Sequence, residues 1–408
     1  MGVLLFWTLY NLPILVKGVD VIRGARASTS TRQDNGIRQD RKLPSFSIII
    51  AAKNEEKVIG RLLESVLQLD YPKERIQIVV AEDGSHDRTR EICEHYAKRH
   101  PDVIEFCHRD PSGNKPGALN HALTKARGDI VAILDADNIP EKDILQRAAA
   151  RFEDNKVAAV QGHTYPINLH QNSLTRLEAY NQDSWFKIYL RGKDSLKLFV
   201  PLTGSCGFVR RDILLECGGW NEKSLTEDVE LAARLAAKKH RIQYAPEIRS
   251  WQENTSSFRQ MIKQRRRWFR GYMETLLNYR RLITQGSRIG IDVGVTLLGP
   301  LIIGFCFLTN TIGVYGLVSG NLDIGWPLMM VSFATGVLTL ETLVVCAAGL
   351  FYQSRKRRWR NLVWALPLVM YWELQMAVAF YTTLCFLLRR PQSWEKTEKT
   401  GSTDRSNK

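Results

Sequence analysis

The chain has 408 residues, 44% of them hydrophobic, and carries a formal net charge of +15. That length holds one large domain or two, and the mean hydropathy of -0.22 averages a globular stretch up to about Leu282 with an apolar one beyond it. The seven cysteines are odd in number, scattered and never spaced as Cys-x-x-Cys, which argues for reduced thiols and against a structural zinc or a disulfide framework. The basic residues gather beside apolar segments, at Arg23 and Arg26, Arg265 to Arg267, Arg355 to Arg358, and Arg389 and Arg390. This pattern fits a membrane edge, and no nucleic-acid module with interleaved aromatics is present.

Gly2 to Val16 is apolar but interrupted by Asn11 and Pro13, and is short for a membrane span. Lys17, Arg23 and Arg26 follow it, an order that places the N-terminus outside and the next segment inside, and that does not fit a cleaved signal peptide. Ser28 to Lys42 reads as a polar linker. Phe46 to Ala51 is an apolar strand, and Lys53-Asn54-Glu55-Glu56 turns into a helix carrying Val58, Ile59, Leu62, Leu63, Val66 and Leu67 at helical spacing. Ile76 to Ala81 is a second buried strand ending in Glu82-Asp83-Gly84-Ser85, so the pair forms a parallel strand–helix–strand unit. A helix over Thr89 to Arg99 and a strand over Val103 to Cys107 come next.

Gly113-Asn114-Lys115-Pro116-Gly117 has two readings, a capped helix start and a lysine poised over phosphate at a helix N-terminus. Ile130 to Leu134 is a continuous aliphatic strand that ends abruptly in Asp135 and Asp137. Ligands gather at the carboxyl ends of strands in open α/β sheets, and two acids one residue apart can hold a divalent cation; a polar turn is the plain alternative. A strand over Val157 to Gln161, a helix over Leu174 to Tyr189 and a small-residue strand over Pro201 to Val209 follow. Thr226-Glu227-Asp228 opens a helix, either as an N-cap with acids in the first turn or as the seat of a general base. Phe258 to Tyr279 is a basic amphipathic helix with an apolar stripe of Phe258, Met261, Ile262, Phe269, Tyr272, Met273 and Leu276. Ile289 to Ser319, Ile324 to Phe351 and Asn361 to Leu388 are each apolar and long enough to span, and Glu341 and Glu373 lie inside two of them.

In series, the Asn54-Glu55 turn, Glu82 to Ser85, Lys115 to Asn120, Asp135-Ala136-Asp137, Thr226 to Asp228 and Gln264 to Trp268 resemble the membrane-embedded family 2 glycosyltransferases. That group contains the cellulose, chitin, hyaluronan and poly-N-acetylglucosamine synthases. The match runs from about Phe46 to Trp268, with an echo at Arg390 to Gly401. The resemblance implies an α/β fold of GT-A type, a Rossmann-like nucleotide-sugar domain followed by an interfacial helix and transmembrane helices. It implies a boundary set of 1–22 for an N-terminal membrane segment, 23–45 for a linker, 46–257 for the catalytic domain, 258–286 for the amphipathic helix, 287–390 for the spans and 391–408 for a polar tail.

It further implies inverting transfer of a hexosyl or N-acetylhexosaminyl group from a nucleotide sugar with Mg²⁺ or Mn²⁺; UDP-linked glucose or N-acetylglucosamine is the donor the family favours, and GDP-mannose stays open. Ala52, Glu55 and Asp83 would line the nucleoside pocket, and Lys115, Gln264 and Arg267 would face the diphosphate. Asp135 would contact nucleotide or metal and Asp137 would ligate the metal. Asp228 would be the base, with Gly204, Ser205, Glu227 and Trp268 at the acceptor, the indole of Trp268 stacking on a sugar face. The acceptor would be a growing glycan, with export through the helices of the same chain as the accompanying expectation; transfer of one sugar to a lipid is the alternative. The expected location is a multi-pass membrane protein with its catalytic domain in the cytoplasm. A scaffold with a dead transferase domain is disfavoured because every motif position is filled, and a transporter because the spans show no internal repeat.

Overall fold

A computed structural model describes residues 2–28, 43–110, 113–319, 362–393 and 396–402, with isolated positions between 326 and 344. The expected linker and the apolar run Ile324 to Phe351 lie largely outside the described residues, as does Glu341. The elements in chain order are α1 (Gly2–Ser28), β1 (Phe46–Ala52), α2 (Ile59–Leu67), β2 (Ile76–Glu82), α3 (Thr89–Arg99), β3 (Ile104–His108), α4 (Lys115–Leu123), β4 (Ile130–Ile133), β5 (Ile139–Pro140) and α5 (Ile144–Arg151). They continue as β6 (Val157–Pro166), α6 (Ser173–Asp183), α7 (Arg191–Ser195), β7 (Gly207–Arg210), α8 (Arg211–Glu216), α9 (Glu227–Ala237), β8 (Arg241–Gln252), α10 (Phe258–Asn278), α11 (Arg280–Thr284), α12 (Arg288–Ser319) and α13 (Ala365–Leu387).

The chain divides into two compact units, one of residues 27–171, 199–255 and 396–408, the other of residues 1–26, 172–198 and 256–395. The first unit is built on an eight-stranded sheet in the order β3-β2-β1-β4-β7-β6-β8-β5. β1 pairs in parallel with β2 and β4, and β2 with β3, as the isoleucine- and valine-rich runs predict. Ile48, Ile49 and Ile50 are fully buried, and α2 lays Ile59, Leu62, Leu63 and Val66 against the core. Burial of each such side chain contributes roughly 1.5–3 kcal/mol. From β1 the chain adds β2 and then β3 on one side and returns to place β4 on the other, so the connections diverge there and leave a crevice above the carboxyl ends of β1 and β4.

One expectation is corrected here, and another is refined. Of the expected strand over Pro201 to Val209 only Gly207–Arg210 is a strand, and it runs antiparallel between β4 and β6. Gly204 at φ +77° and Cys206 at φ +54° are left-handed, so the chain loops at that point instead of extending. The helix expected over Leu174 to Tyr189 is α6, which passes into a π-helical stretch, Ser184–Leu190, before α7.

The second unit is helical. α10 buries Met261, Met273 and Leu276 of the expected stripe, but it also buries Arg265 and leaves Phe258 54% exposed. Arg265 is tolerated inside because its guanidinium donates to Glu178 Oε1 (3.3 Å) and Tyr371 Oη (3.2 Å) and lies 4.3 Å from the Trp268 ring centre. A buried ion pair joins α7 to α12: Lys193 Nζ donates to both Asp292 oxygens (2.8 and 2.9 Å) and to Thr296 Oγ1 (2.7 Å), and Tyr10 of α1 donates to Asp292 (2.9 Å). Among the described residues two segments, Arg288–Ile312 and Leu362–Leu387, are long and apolar enough to cross a membrane. The six described cysteines are all free thiols and buried.

Candidate active site

The sheet delivers its polar residues to one rim. β1 ends at Ala52, whose carbonyl accepts from the Asp83 N–H at 3.0 Å, which fixes the β2 turn beside it. Asp83 is buried and held between Lys53 Nζ at 3.3 Å and Arg109 Nε at 3.6 Å. Its neighbour Glu82 is fully buried: one oxygen accepts from the Ser85 N–H and the other meets His108 Nδ1 at 2.6 Å. Burial opposes the Glu82 charge, but these partners outweigh it and hold the carboxyl below its ordinary range.

The capped helix start expected at the Lys115 segment is present. Asn114 caps α4, its Oδ1 accepting from the Gly117 N–H at 3.0 Å, and that cap aims the next side chain across the crevice. Lys115 Nζ lies 2.6 Å from Asp135 Oδ1 and 3.4 Å from Glu227 Oε1, and donates to the Gly204 carbonyl at 2.8 Å. Burial works against its charge, but Asp135, Glu227 and Asp228 overcome this and raise it above the ordinary lysine value. Lys115 is thus the cation at the centre of three carboxylates.

Asp135 is fixed at its other oxygen by Gln252 Nε2 (3.0 Å), and its N–H donates to Ser205 Oγ at 3.1 Å. Asp137, two residues on, is 2% exposed, and its Oδ2 accepts from the Glu253 N–H at 3.0 Å. Ser205 is itself buried and bonds Asn138, so it ties the 201–206 loop to the acid turn. Thr226 stands at the N-cap position of α9 but makes no side-chain capping bond, so capping does not account for the Thr226-Glu227-Asp228 sequence. Glu227 is buried and turned to Lys115, whereas Asp228 is half-buried. A Cβ placed on Gly204 would come within 3.1 Å of Asp228 Oδ2 and 3.7 Å of Lys115 Nζ, so this glycine forms the wall against which the Asp228 carboxylate rests.

The tail supplies a part of the site that the sequence reading did not assign. Lys396 Nζ donates to the Lys53 carbonyl (2.6 Å) and to that of Asn54, and pairs with Glu55 at 2.9 Å. Lys399 Nζ lies 2.7 Å from Asp137 Oδ2 and donates to the Glu253 carbonyl at 2.9 Å. Thr400 N–H donates to Glu253 Oε1 at 2.8 Å and Gly401 N–H to Glu253 Oε2 at 3.1 Å. Desolvation pushes the Glu55 carboxyl up to about 7 in spite of Lys396. Lys399 is held above its ordinary value because Asp137 and the acids around it outweigh its burial.

Ala52, Glu55, Asp83, Lys115, Asp135, Asp137, Gly204, Ser205, Glu227 and Asp228 therefore all belong to the sheet-based unit. Gln264, Arg267 and Trp268 sit on α10 in the helical unit. Gln252, Glu253, Lys396, Lys399 and Thr400 are additional members; the pairing of lysines at Lys396 and Lys399 in an otherwise polar tail was the available signal.

The sequence model of the glycosyltransferase like family 2 matches residues 44–271. The chain is 34% identical over 254 residues to a β-monoglucosyldiacylglycerol synthase of Trichormus variabilis, covering 61% of this chain and 53% of that protein. It is 23% identical over 352 residues to the poly-β-1,6-N-acetyl-D-glucosamine synthase of Staphylococcus epidermidis, covering 83% of each. The chain thus spans about half the length of the diacylglycerol enzyme. In fold it is similar to a mannosyltransferase from Pyrobaculum calidifontis solved with GDP-Man and Mn²⁺, at a TM-score of 0.63 and 18% identity, covering 96% of this chain and 99% of the other. With the family's model matched over more than half its length, and a GT-A sheet carrying the acids that the motifs name, this chain belongs to the family 2 glycosyltransferases.

Proposed function

We propose that the chain transfers a sugar, with inversion, from a nucleotide-sugar donor to a hydroxyl of a growing glycan at a membrane. The observation that carries this reading is the convergence of Lys115, Asp135, Glu227 and Asp228 on one rim, with Gly204 behind the Asp228 carboxylate. A UDP-sugar is the favoured donor; its base would rest near Ala52, Glu55 and Asp83. Lys115 would bind diphosphate oxygens, exchanging its contacts with Asp135 and Glu227 for them.

The acid turn fits a divalent cation. Asp137 already holds a positive group, the Lys399 ammonium at 2.7 Å, which marks it as a seat for cationic charge. Asp137 and Asp135 would hold Mg²⁺ or Mn²⁺ through their carboxylate oxygens, with donor phosphates completing the ligand set. Such a cation would neutralise charge on the departing diphosphate. Asp228 removes the proton from the acceptor hydroxyl as its oxygen bonds to the anomeric carbon and the bond to the nucleoside diphosphate breaks. Ser205 and Gly204 position that acceptor, and Glu227 orients Lys115.

Membrane residence is supported by the two apolar segments Arg288–Ile312 and Leu362–Leu387, and the arginines beside them favour a catalytic domain in the cytoplasm. The glycan reading is supported by a likeness to the poly-N-acetylglucosamine synthase that covers 83% of this chain and so runs beyond the catalytic domain. A lipid acceptor is the second reading, favoured by the higher identity to the diacylglycerol enzyme across the catalytic domain. Membrane-reconstituted protein supplied with Mn²⁺ and a panel of radiolabelled nucleotide sugars distinguishes them. A high-molecular-weight product from one donor, lost in Asp228→Asn while donor binding persists, is expected; an organic-extractable product would replace the glycan by a lipid, and full turnover by Asp228→Asn would remove the base assignment.

A further inference from the structure

Where α10 gives way to α11, a cleft of about 420 Å³ opens, lined by Leu277, Asn278, Arg280 and Arg281. Leu277 is 50% exposed, and Arg280, Arg281 and Arg288 are exposed as well. Among the described residues none of these three arginines has an acidic side chain within ion-pair distance, whereas Arg265 and Arg270 on the preceding helix are both paired. The charge is therefore concentrated and uncompensated.

The cleft is also held in place. A Cβ on Gly290 would meet the Leu282 carbonyl oxygen at 2.2 Å, and one on Gly294 would meet the Ile283 side chain at 2.5 Å, so α11 is pinned to the first two turns of α12. Those turns begin the apolar segment Arg288–Ile312. The geometry points to a binding site for the headgroup of an anionic phospholipid, an inference that rests on the membrane reading above. Two guanidinium groups supply planar donors for the phosphodiester oxygens, and Leu277 meets the glycerol and upper acyl carbons. A water-soluble phosphate would gain nothing from the leucine wall, and a zwitterionic headgroup would bring its own cation toward the arginines.

The test uses the full chain in phosphatidylcholine vesicles doped with spin-labelled phosphatidylglycerol or spin-labelled phosphatidylcholine, reading the motionally restricted fraction of each label. The anionic label is expected to associate at least about fivefold more strongly. Arg280→Gln with Arg281→Gln should bring the two labels close to parity, and the corresponding lysine pair should keep part of the preference. Both arginines are exposed, so these variants leave the fold intact. Equal association of the two labels with protein that resists carbonate extraction would overturn the lipid site alone. Release of the protein by carbonate would overturn the membrane reading and the site with it.

Discussion

Replacing Gly204 by alanine separates backbone strain from crowding of Asp228, the carboxylate proposed as the general base. Gly204 sits at φ +77°, where a side chain costs about 1–2 kcal/mol. Its new methyl group would stand 3.1 Å from Asp228 Oδ2, and the carboxylate must withdraw by a few tenths of an ångström to restore ordinary contact. Displacement of a general base by an ångström costs roughly a hundredfold, so a shift of this size is expected to lower kcat about tenfold, or about 1.4 kcal/mol. Gly218 is the matched control: it lies at φ +80°, yet a Cβ there meets nothing within 4 Å. Gly218→Ala should lose the same 1–2 kcal/mol of stability by thermal unfolding and keep its turnover. Release of nucleoside diphosphate at saturating donor is the assay. A Gly204→Ala protein with undiminished kcat, or a Gly218→Ala protein impaired to the same degree, would refute the assignment of Gly204 as the wall of the base.

Lys115→Met should remove donor binding and also destabilise the catalytic unit by about 3–5 kcal/mol, since Asp135 and Glu227 would face each other without a cation; denaturant unfolding with no change in midpoint would contradict this. Glu55 has a folded value of about 7 against an ordinary 4.5, so its contribution to stability is fully present below about 4.5 and is lost as pH rises through about 7. That contribution is roughly 3 kcal/mol, and Glu55→Gln should flatten the dependence of the unfolding temperature on pH across that window; an unaltered slope would exclude Glu55 as its source. Lys399→Met removes a positive charge 2.7 Å from Asp137, so Mn²⁺ should bind the donor-free protein about tenfold more tightly by calorimetry, and unchanged affinity would show that Lys399 does not compete for that carboxylate.

The parallel half of the sheet was legible in the sequence because strands buried on both faces must be continuously apolar: Phe46 to Ala51, Ile76 to Ala81 and Ile130 to Leu134 stand within a residue or so of β1, β2 and β4. The acids at their carboxyl ends were legible for the same reason, since nothing else interrupts these runs. β8 was not foreseen, because its exposed and buried positions alternate irregularly where its register with β6 shifts. Gln252 and Glu253, at the end of that strand, were lost with it. The 201–206 loop looked like a strand since small residues suit close packing, but Gly204 and Cys206 take left-handed angles that composition does not announce. The role of Arg265 was hidden as well: a helical wheel assigns every arginine of α10 to water, and only the tertiary partners Glu178 and Tyr371 make its burial affordable. The tail lysines were least visible of all, because two cations in a polar segment look solvated until the carboxylates they meet are known.

The placement of Lys396 and Lys399 has a consequence for biogenesis. Both lysines are encoded after α12 and α13, yet they complete the charge balance around Glu55 and Asp137 in the sheet-based unit. A nascent chain can fold most of its sheet as soon as β8 has left the ribosome, but it does so with Asp137 and Glu253 lacking their partners from the tail. The centre reaches its final form only after the apolar helices have been synthesised. Translation order thus delays assembly of the proposed active site until the segments proposed to anchor it have been made.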